Sequence, residues 1–256
     1  MNKPAPKQLT VVSNDAVSPN MQRVTFHGDD IASFPADCAG GYIKLLFDSQ
    51  GNTDLSALPE GQRPHMRSYT IKSFSAQNST IVVDFVRHET TDLTMGFASR
   101  WVMSAKAGDN IFIVGPGQIK PIETSVDWYF MVADMTALPA LSAKIKELPS
   151  DAKGNAVIKV ISIDDIQAID VPSNMQVRWI TEESCLLTTV KELPWLEGEA
   201  FVWSATEFEE MRELRQYFRD EHAVDRDRIY ISSYWKRGVS EDGHKAAKRL
   251  DKENQS

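Results

Sequence analysis

Four consecutive residues, Arg67-Ser68-Tyr69-Thr70, combine a guanidinium, a flat phenolic ring and two hydroxyls. A guanidinium grips a pyrophosphate through paired planar donors, a flat ring lies against an isoalloxazine, and hydroxyls or backbone N–H groups reach ring nitrogens. Strand alternation predicts Arg67 and Tyr69 on one face, Ser68 and Thr70 on the other. An amphipathic strand with a surface arginine is the plainer reading of the same residues. Further along, Asp134 and Thr136 follow the apolar run 128–133. Open parallel sheets bind ligands at the carboxyl ends of their strands, although Thr136 could equally cap the next helix. Asp164-Asp165 ends the strand-like stretch 156–163. A carboxylate there hydrogen-bonds a ribose 2′-OH and repels a 2′-phosphate, which favours NADH over NADPH; the alternative is a solvated acidic turn.

Other chemistries find no residues. The five histidines show no i, i+4 pair and no H-E-x-x-H, so no protein metal site is expected. Cys38 and Cys185 lie far apart, which suggests a reduced compartment and two ordinary semi-buried thiols. No convincing acid–base triad is present. No G-x-G-x-x-G follows the run 128–133, so a nicotinamide donor would visit transiently instead of staying bound. The net charge of −8 argues against nucleic acid as a partner. No stretch reaches the roughly 18 apolar residues of a membrane span, and the N-terminal residues lack an apolar signal core. The expectation is a cytoplasmic monomer.

These residues need two kinds of scaffold. Strand signals at 8–12, 21–26, 42–47, 66–72, 80–87 and 110–114, with a helical stretch near 95–104, predict a six-stranded antiparallel β-barrel over 1–121. After Gly115-Pro116-Gly117 the pattern changes. The unalternated run 128–133 reads as a strand covered on both faces. Leu138, Leu141, Ile145 and Leu148 mark a helix with Pro139 in its first turn. Strands are predicted at 156–163, 176–180, 199–204 and 228–232, with a helix opened by the capping box Thr206-Glu207-Phe208-Glu209. This is a Rossmann-like parallel α/β domain over 122–238. The polar tail 239–256 could be a surface helix or disordered. A cleft between two such domains is a common place for a cofactor.

Five pieces, in order, carry a family resemblance. Arg67–Thr70 resembles the R-x-Y-[TS] flavin motif of the ferredoxin-reductase superfamily. Asp84-Phe85-Val86-Arg87-His88 with Gly96-Phe97-Ala98-Ser99-Arg100-Trp101 resembles a segment ending in G-P-A-S-x-W, Phe97 standing where proline is usual. Gly115-Pro116 follows. Ala133-Asp134-Met135-Thr136-Ala137-Leu138-Pro139-Ala140 is similar to G-D-E-T-A-L-P-A, with Ala133 and Met135 as departures. Ser233-Tyr234-Trp235-Lys236-Arg237-Gly238 is similar to G-Y-W-[RK]-x-G. Together they resemble the siderophore-interacting proteins, cytoplasmic FAD-dependent ferric-siderophore reductases.

The resemblance implies a ferredoxin-reductase-like fold and FAD held by Arg67, Ser68, Tyr69, Thr70, Asp84, Val86, His88, Gly96, Ala98, Ser99, Asp134, Thr136, Ala137 and Trp235. Small residues at the start of the helix let N–H groups approach the diphosphate. By motif position, Lys44, Lys120, Lys236 and Arg237 would receive an anionic ferric siderophore; each alone reads equally as a solvated cation. A hydride brings two electrons and Fe(III) accepts one, so a flavin that can part with them singly is the fitting mediator. Electrons would come from NADH, NADPH or a ferredoxin, and iron would leave as Fe(II). The competing readings are an NAD(P)H:flavin reductase that reduces free flavin, and a non-catalytic siderophore-binding flavoprotein.

Overall fold

The computed structural model describes residues 5–56, 58–87 and 96–254, and the chain divides into two compact units, Met1–Ile119 and Lys120–Ser256. In the first, the strands are β1 (Lys7–Ser18), β2 (Met21–His27), β3 (Tyr42–Phe47), β4 (His65–Thr70), β5 (Ser73–Ser75) and β6 (Thr80–Val86); helix α1 (Phe97–Ser104) and strand β7 (Asn110–Gly117) follow. They form an antiparallel sheet ordered β4-β3-β7-β1-β2-β6-β5. Among the described residues there are seven strands where the sequence predicts six, because the stretch 66–72 turns a corner. Ile71 N–H donates to Gly41 O beside β3, whereas Lys72 N–H donates to Val82 O in β6, each at 2.8 Å. The chain thus changes partners within two residues and carries the sheet round on itself, the manoeuvre a small barrel needs. The corner interrupts the pairing and not the side-chain pattern, so the sequence reads as one strand.

Period-two alternation fills the interior of this unit. Leu9 and Val11, Ile43 and Leu45, Ile81 and Val83 all point into one cluster, against which α1 packs Phe97, Ala98 and Val102. Cys38 is part of that cluster, and burial pushes its thiol up to about 11.

The second unit contains β8 (Trp128–Asp134), α2 (Leu138–Ile145), β9 (Lys153–Val160), β10 (Asn174–Thr181), α3 (Leu186–Glu192), β11 (Ala200–Glu207), α4 (Phe208–Gln216), β12 (Ile229–Trp235) and α5 (Glu241–Glu253). All its strand pairs are parallel, in the order β10-β9-β8-β11-β12. The chain winds outward from β8 on one side, then returns to β11 on the other, so the carboxyl ends of β8 and β11 flank the switch point where such sheets bind ligands. Every residue of β8 is buried, as its unalternated sequence predicts.

Three local expectations are corrected here. Strand β11 runs on through a fully buried Thr206, so the cap of α4 is Glu207, whose Oε2 accepts the N–H of Glu209 at 2.6 Å and of Glu210 at 3.4 Å. Helix α3 was not foreseen, because Leu186–Glu192 is seven residues with a β-branched Thr-Thr-Val centre, which is weakly helical by propensity. The exposed Cys185 precedes it, and hydrogen bonds from Thr188 lower its thiol; the two thiols therefore differ instead of both being semi-buried. The polar tail, for which helix and disorder were both open, is the 13-residue helix α5. It hides no apolar stripe. It is held instead by polar contacts: Ser233 Oγ to His244 Nε2 at 2.7 Å, Lys248 Nζ to Ser233 O at 3.0 Å, and a two-pronged Arg215–Asp251 pair at 2.7 and 2.8 Å.

Candidate functional site

In the first unit the predicted flavin motif lies on β4 against β3. Tyr69 pairs with Ile43 and Arg67 with Leu45, while Ser68 pairs with Lys44 and Thr70 with Tyr42. Directly opposed residues share a face, so the predicted alternation is present. The Tyr69 ring lies 4.3 Å from that of Phe85. Arg67 gives one N–H to the Met66 carbonyl at 2.9 Å, and its guanidinium carbon sits 5.1 Å from the centre of the Phe97 ring. Arg100 lies over the same ring at 5.3 Å.

Helix α1 starts after Gly96, which takes a left-handed φ of 65° and has no side chain to cap with, and its first turn carries no acidic residue. The first-turn backbone of Phe97, Ala98 and Ser99 at the positive helix end, with two guanidiniums on the first helical side chain, makes a donor set suited to a diphosphate. The residues present therefore fit FAD at its diphosphate end. Phe97 and Arg100 escaped nomination in the sequence, although their i, i+3 spacing on one helix was a usable signal.

Asp84 stands differently from its expectation as a cofactor-lining group. Its buried carboxylate is engaged by Arg23 through two bonds of 2.7 and 2.9 Å and by Lys72 at 3.1 Å. Val86 is the half-buried last residue of β6. His88 lies outside the described residues.

In the second unit Asp134, Thr136, Ala137 and Trp235, all nominated for the cofactor, lie together and bond to one another through Asp134. Asp134 Oδ1 accepts from Thr136 Oγ1 at 2.5 Å, Thr136 N at 2.9 Å and Ala137 N at 3.3 Å. Its Oδ2 accepts from the Trp235 indole at 2.7 Å. Asp134, not Thr136, thus feeds the start of α2, and it ties the end of β8 to the end of β12 across β11. Burial pushes this carboxyl up to about 6, against the pull of Thr136 and Trp235. Glu207 Oε1 accepts the Arg237 N–H at 2.9 Å and so anchors the loop after β12.

The nominated cations differ in their surroundings. Lys44 lies over the Tyr42 ring at 5.8 Å and shares its face with Ser68. Lys120 and Arg237 are exposed. Lys236 is bound to Glu209 and sits 4.3 Å from the Phe208 ring centre, so its charge is already compensated. The two candidate ribose ligands also separate. Asp165 is fully buried and turned back on Ser162 N at 3.0 Å in a capping box, whereas Asp164 is exposed just beyond β9. The order Ser162-Ile163-Asp164-Asp165 has that box's spacing, so this role was legible.

Comparison with known proteins matches residues 10–119 to the siderophore-interacting FAD-binding domain and residues 126–238 to the siderophore-interacting protein family. The chain is 33% identical to the ferric vibriobactin reductase ViuB of Vibrio cholerae, covering 93% of this chain and 92% of that protein. It superposes on the siderophore-interacting protein SipS of Aeromonas hydrophila with a TM-score of 0.84 and 31% identity, covering 97% of this chain and 98% of the other. It is 23% identical, over 90% of this chain and 92% of that one, to the NADPH-dependent ferric-chelate reductase of Escherichia coli.

Proposed function

The chain belongs to the siderophore-interacting protein family, and we propose that it is an FAD-dependent reductase that converts siderophore-bound Fe(III) to Fe(II). The observation that carries this reading is the pair of guanidiniums on Phe97 at the positive end of α1. It is a diphosphate cradle inside the segment that matches the family's FAD-binding domain. The family relatives named as ferric-siderophore and ferric-chelate reductases support the reaction.

FAD held there would supply the chemistry of accepting a hydride and releasing its electrons singly. The chain's own residues bind and orient. Arg67, Arg100 and the α1 N–H groups neutralise the diphosphate, and Tyr69 offers a flat, half-buried surface for the tricycle. Asp134 fixes the start of α2 and the Trp235 indole at the ligand-binding end of the parallel sheet. Lys44, which bears no carboxylate partner among the described residues, attracts an anionic chelate. Fe(II) leaves because hard oxygen donors hold it less firmly than Fe(III).

For the electron donor we propose NADH over NADPH, on the exposed Asp164 beyond β9; Asp165 is withdrawn from that role by its own turn. The named dependence of the Escherichia coli relative on NADPH makes this a feature to test in this chain itself. The decisive experiment is anaerobic. Protein loaded with FAD, NADH and ferric siderophore should bleach near 450 nm and release Fe(II) saturably with no free flavin added. Fe(II) release only after adding free flavin would instead show a flavin reductase, and no bleaching would show a carrier. NADPH turnover equal to that of NADH under the same conditions would reject the donor assignment.

A further inference from the structure

We propose that Phe97 is a positioning residue: its ring gathers the Arg67 and Arg100 guanidiniums at the first turn of α1, and so sets how strongly the protein prefers FAD to a flavin without a diphosphate. The inference rests on the FAD reading above and goes further by assigning that preference to an apolar side chain.

Two guanidiniums that converge on one small volume repel each other, and each loses water in doing so. An aromatic face offsets this, because its quadrupole attracts a cation within about 6 Å of the ring centre. Both guanidinium carbons lie inside that range of Phe97, at 5.1 and 5.3 Å. A planar guanidinium lying over a ring still directs N–H donors outward in its own plane, where phosphate oxygens can accept them.

The platform itself is fixed. Phe97 is 2% exposed, and its ring meets those of Phe47 at 6.1 Å and His65 at 5.6 Å. Gly51, at a left-handed φ of +88°, lets the loop after β3 close over the ring; a Cβ there would stand 2.7 Å from Phe97 Cδ1. That loop is held by Asp48, which accepts the N–H groups of Gln50 and Asn52 at 2.8 Å each. Packing thus immobilises an aromatic surface on the first residue of α1, at the positive end of that helix. An aliphatic side chain would fill the space and offer the arginines no π-face.

The test is a titration of apoprotein with FAD and with riboflavin, which carries no phosphate, read as the ratio of their Kd values. Phe97→Leu should weaken FAD about tenfold, equivalent to about 1.4 kcal/mol, and leave riboflavin within twofold, so the ratio shrinks. Phe97→Tyr, which keeps a π-face, should restore it. Arg100→Gln should shrink the ratio by itself, and adding Phe97→Leu should then cost less than it does in wild type, because one acts through the other. Should Phe97→Leu fail to fold by circular dichroism, Phe97→Met takes its place, and the Arg100→Gln result stands alone. Equal losses for both flavins, an unchanged ratio, fully additive effects, or no effect of Arg100→Gln would overturn the inference. A folded wild type that takes up neither flavin would instead overturn the FAD reading beneath it.

Discussion

Asp134 is the residue whose surroundings pull hardest in opposite directions. Burial disfavours its charge, while four donors from Thr136, Ala137 and Trp235 favour it, and the balance leaves the carboxyl near 6. Between its ordinary value near 4 and about 6, the folded chain holds a proton that the unfolded chain has lost. Stability therefore falls as pH rises through that window, and the cost is complete above it. Asp134→Asn abolishes the titration. The Tm difference between variant and wild type should move in the variant's favour from pH 4 to pH 7; a constant difference would refute the assignment. At this scale the sequence disclosed residue types better than partners. The shared face of Arg67 and Tyr69 follows from alternation, whereas the bond between Asp134 and Trp235, 101 positions apart, joins two motifs that the sequence singled out separately. The capture of Asp84 by Arg23, 61 positions away, has no local signal, because strand pairing alone brings them together. Arg23 is about a third exposed and Lys72 stays beside Asp84 when it is removed, so Arg23→Ala should cost less than the roughly 3–5 kcal/mol of breaking a fully buried pair and lower Tm before it touches flavin uptake.

Among the contacts that dock α5, one is titratable near neutral pH. The helix's His244 is buried against Ser233, with Lys248, Glu241, Glu207 and Lys236 around it, and burial and Lys248 push its imidazole down to about 4. Below about 6.5 the unfolded chain takes a proton that the folded one refuses. The stabilising contribution is thus present above 6.5 and lost as pH falls toward 4, opposite in sign to that of Asp134. His244→Gln keeps a partner for Ser233 without the charge. Wild-type Tm should drop relative to this variant between pH 7 and pH 5, and parallel curves would show that His244 does not control docking. The same helix shows why elements were unevenly legible. Strand β8 and helix α2 announce themselves by apolar periodicity. Helix α5 fully buries only His244 and leaves its one large apolar side chain, Leu250, exposed, and the corner between β4 and β5 leaves no mark because only its hydrogen-bond partners change.

On the scale of the whole molecule, a chain of net charge −8 must make its anion-receiving positions locally positive. Lys44 keeps its charge uncompensated among the described carboxylates, while Lys236 shares its own with Glu209. Lys44→Glu should raise the KM for an anionic ferric chelate on the order of tenfold and leave FAD content intact. Lys236→Glu should act mainly on Tm by breaking its pair. Equal KM effects, or none from Lys44→Glu, would place the chelate elsewhere. The division into a barrel-forming half and a parallel half was readable from the change in pattern after Gly115-Pro116, since a strand wetted on one face and a strand covered on both are composed differently. The unequal thiols have a practical consequence. Cys38 is sealed in the interior and Cys185 stands open at the start of α3, so a maleimide dye applied to the native protein should mark a single address, giving a reporter on the parallel half without any engineered substitution.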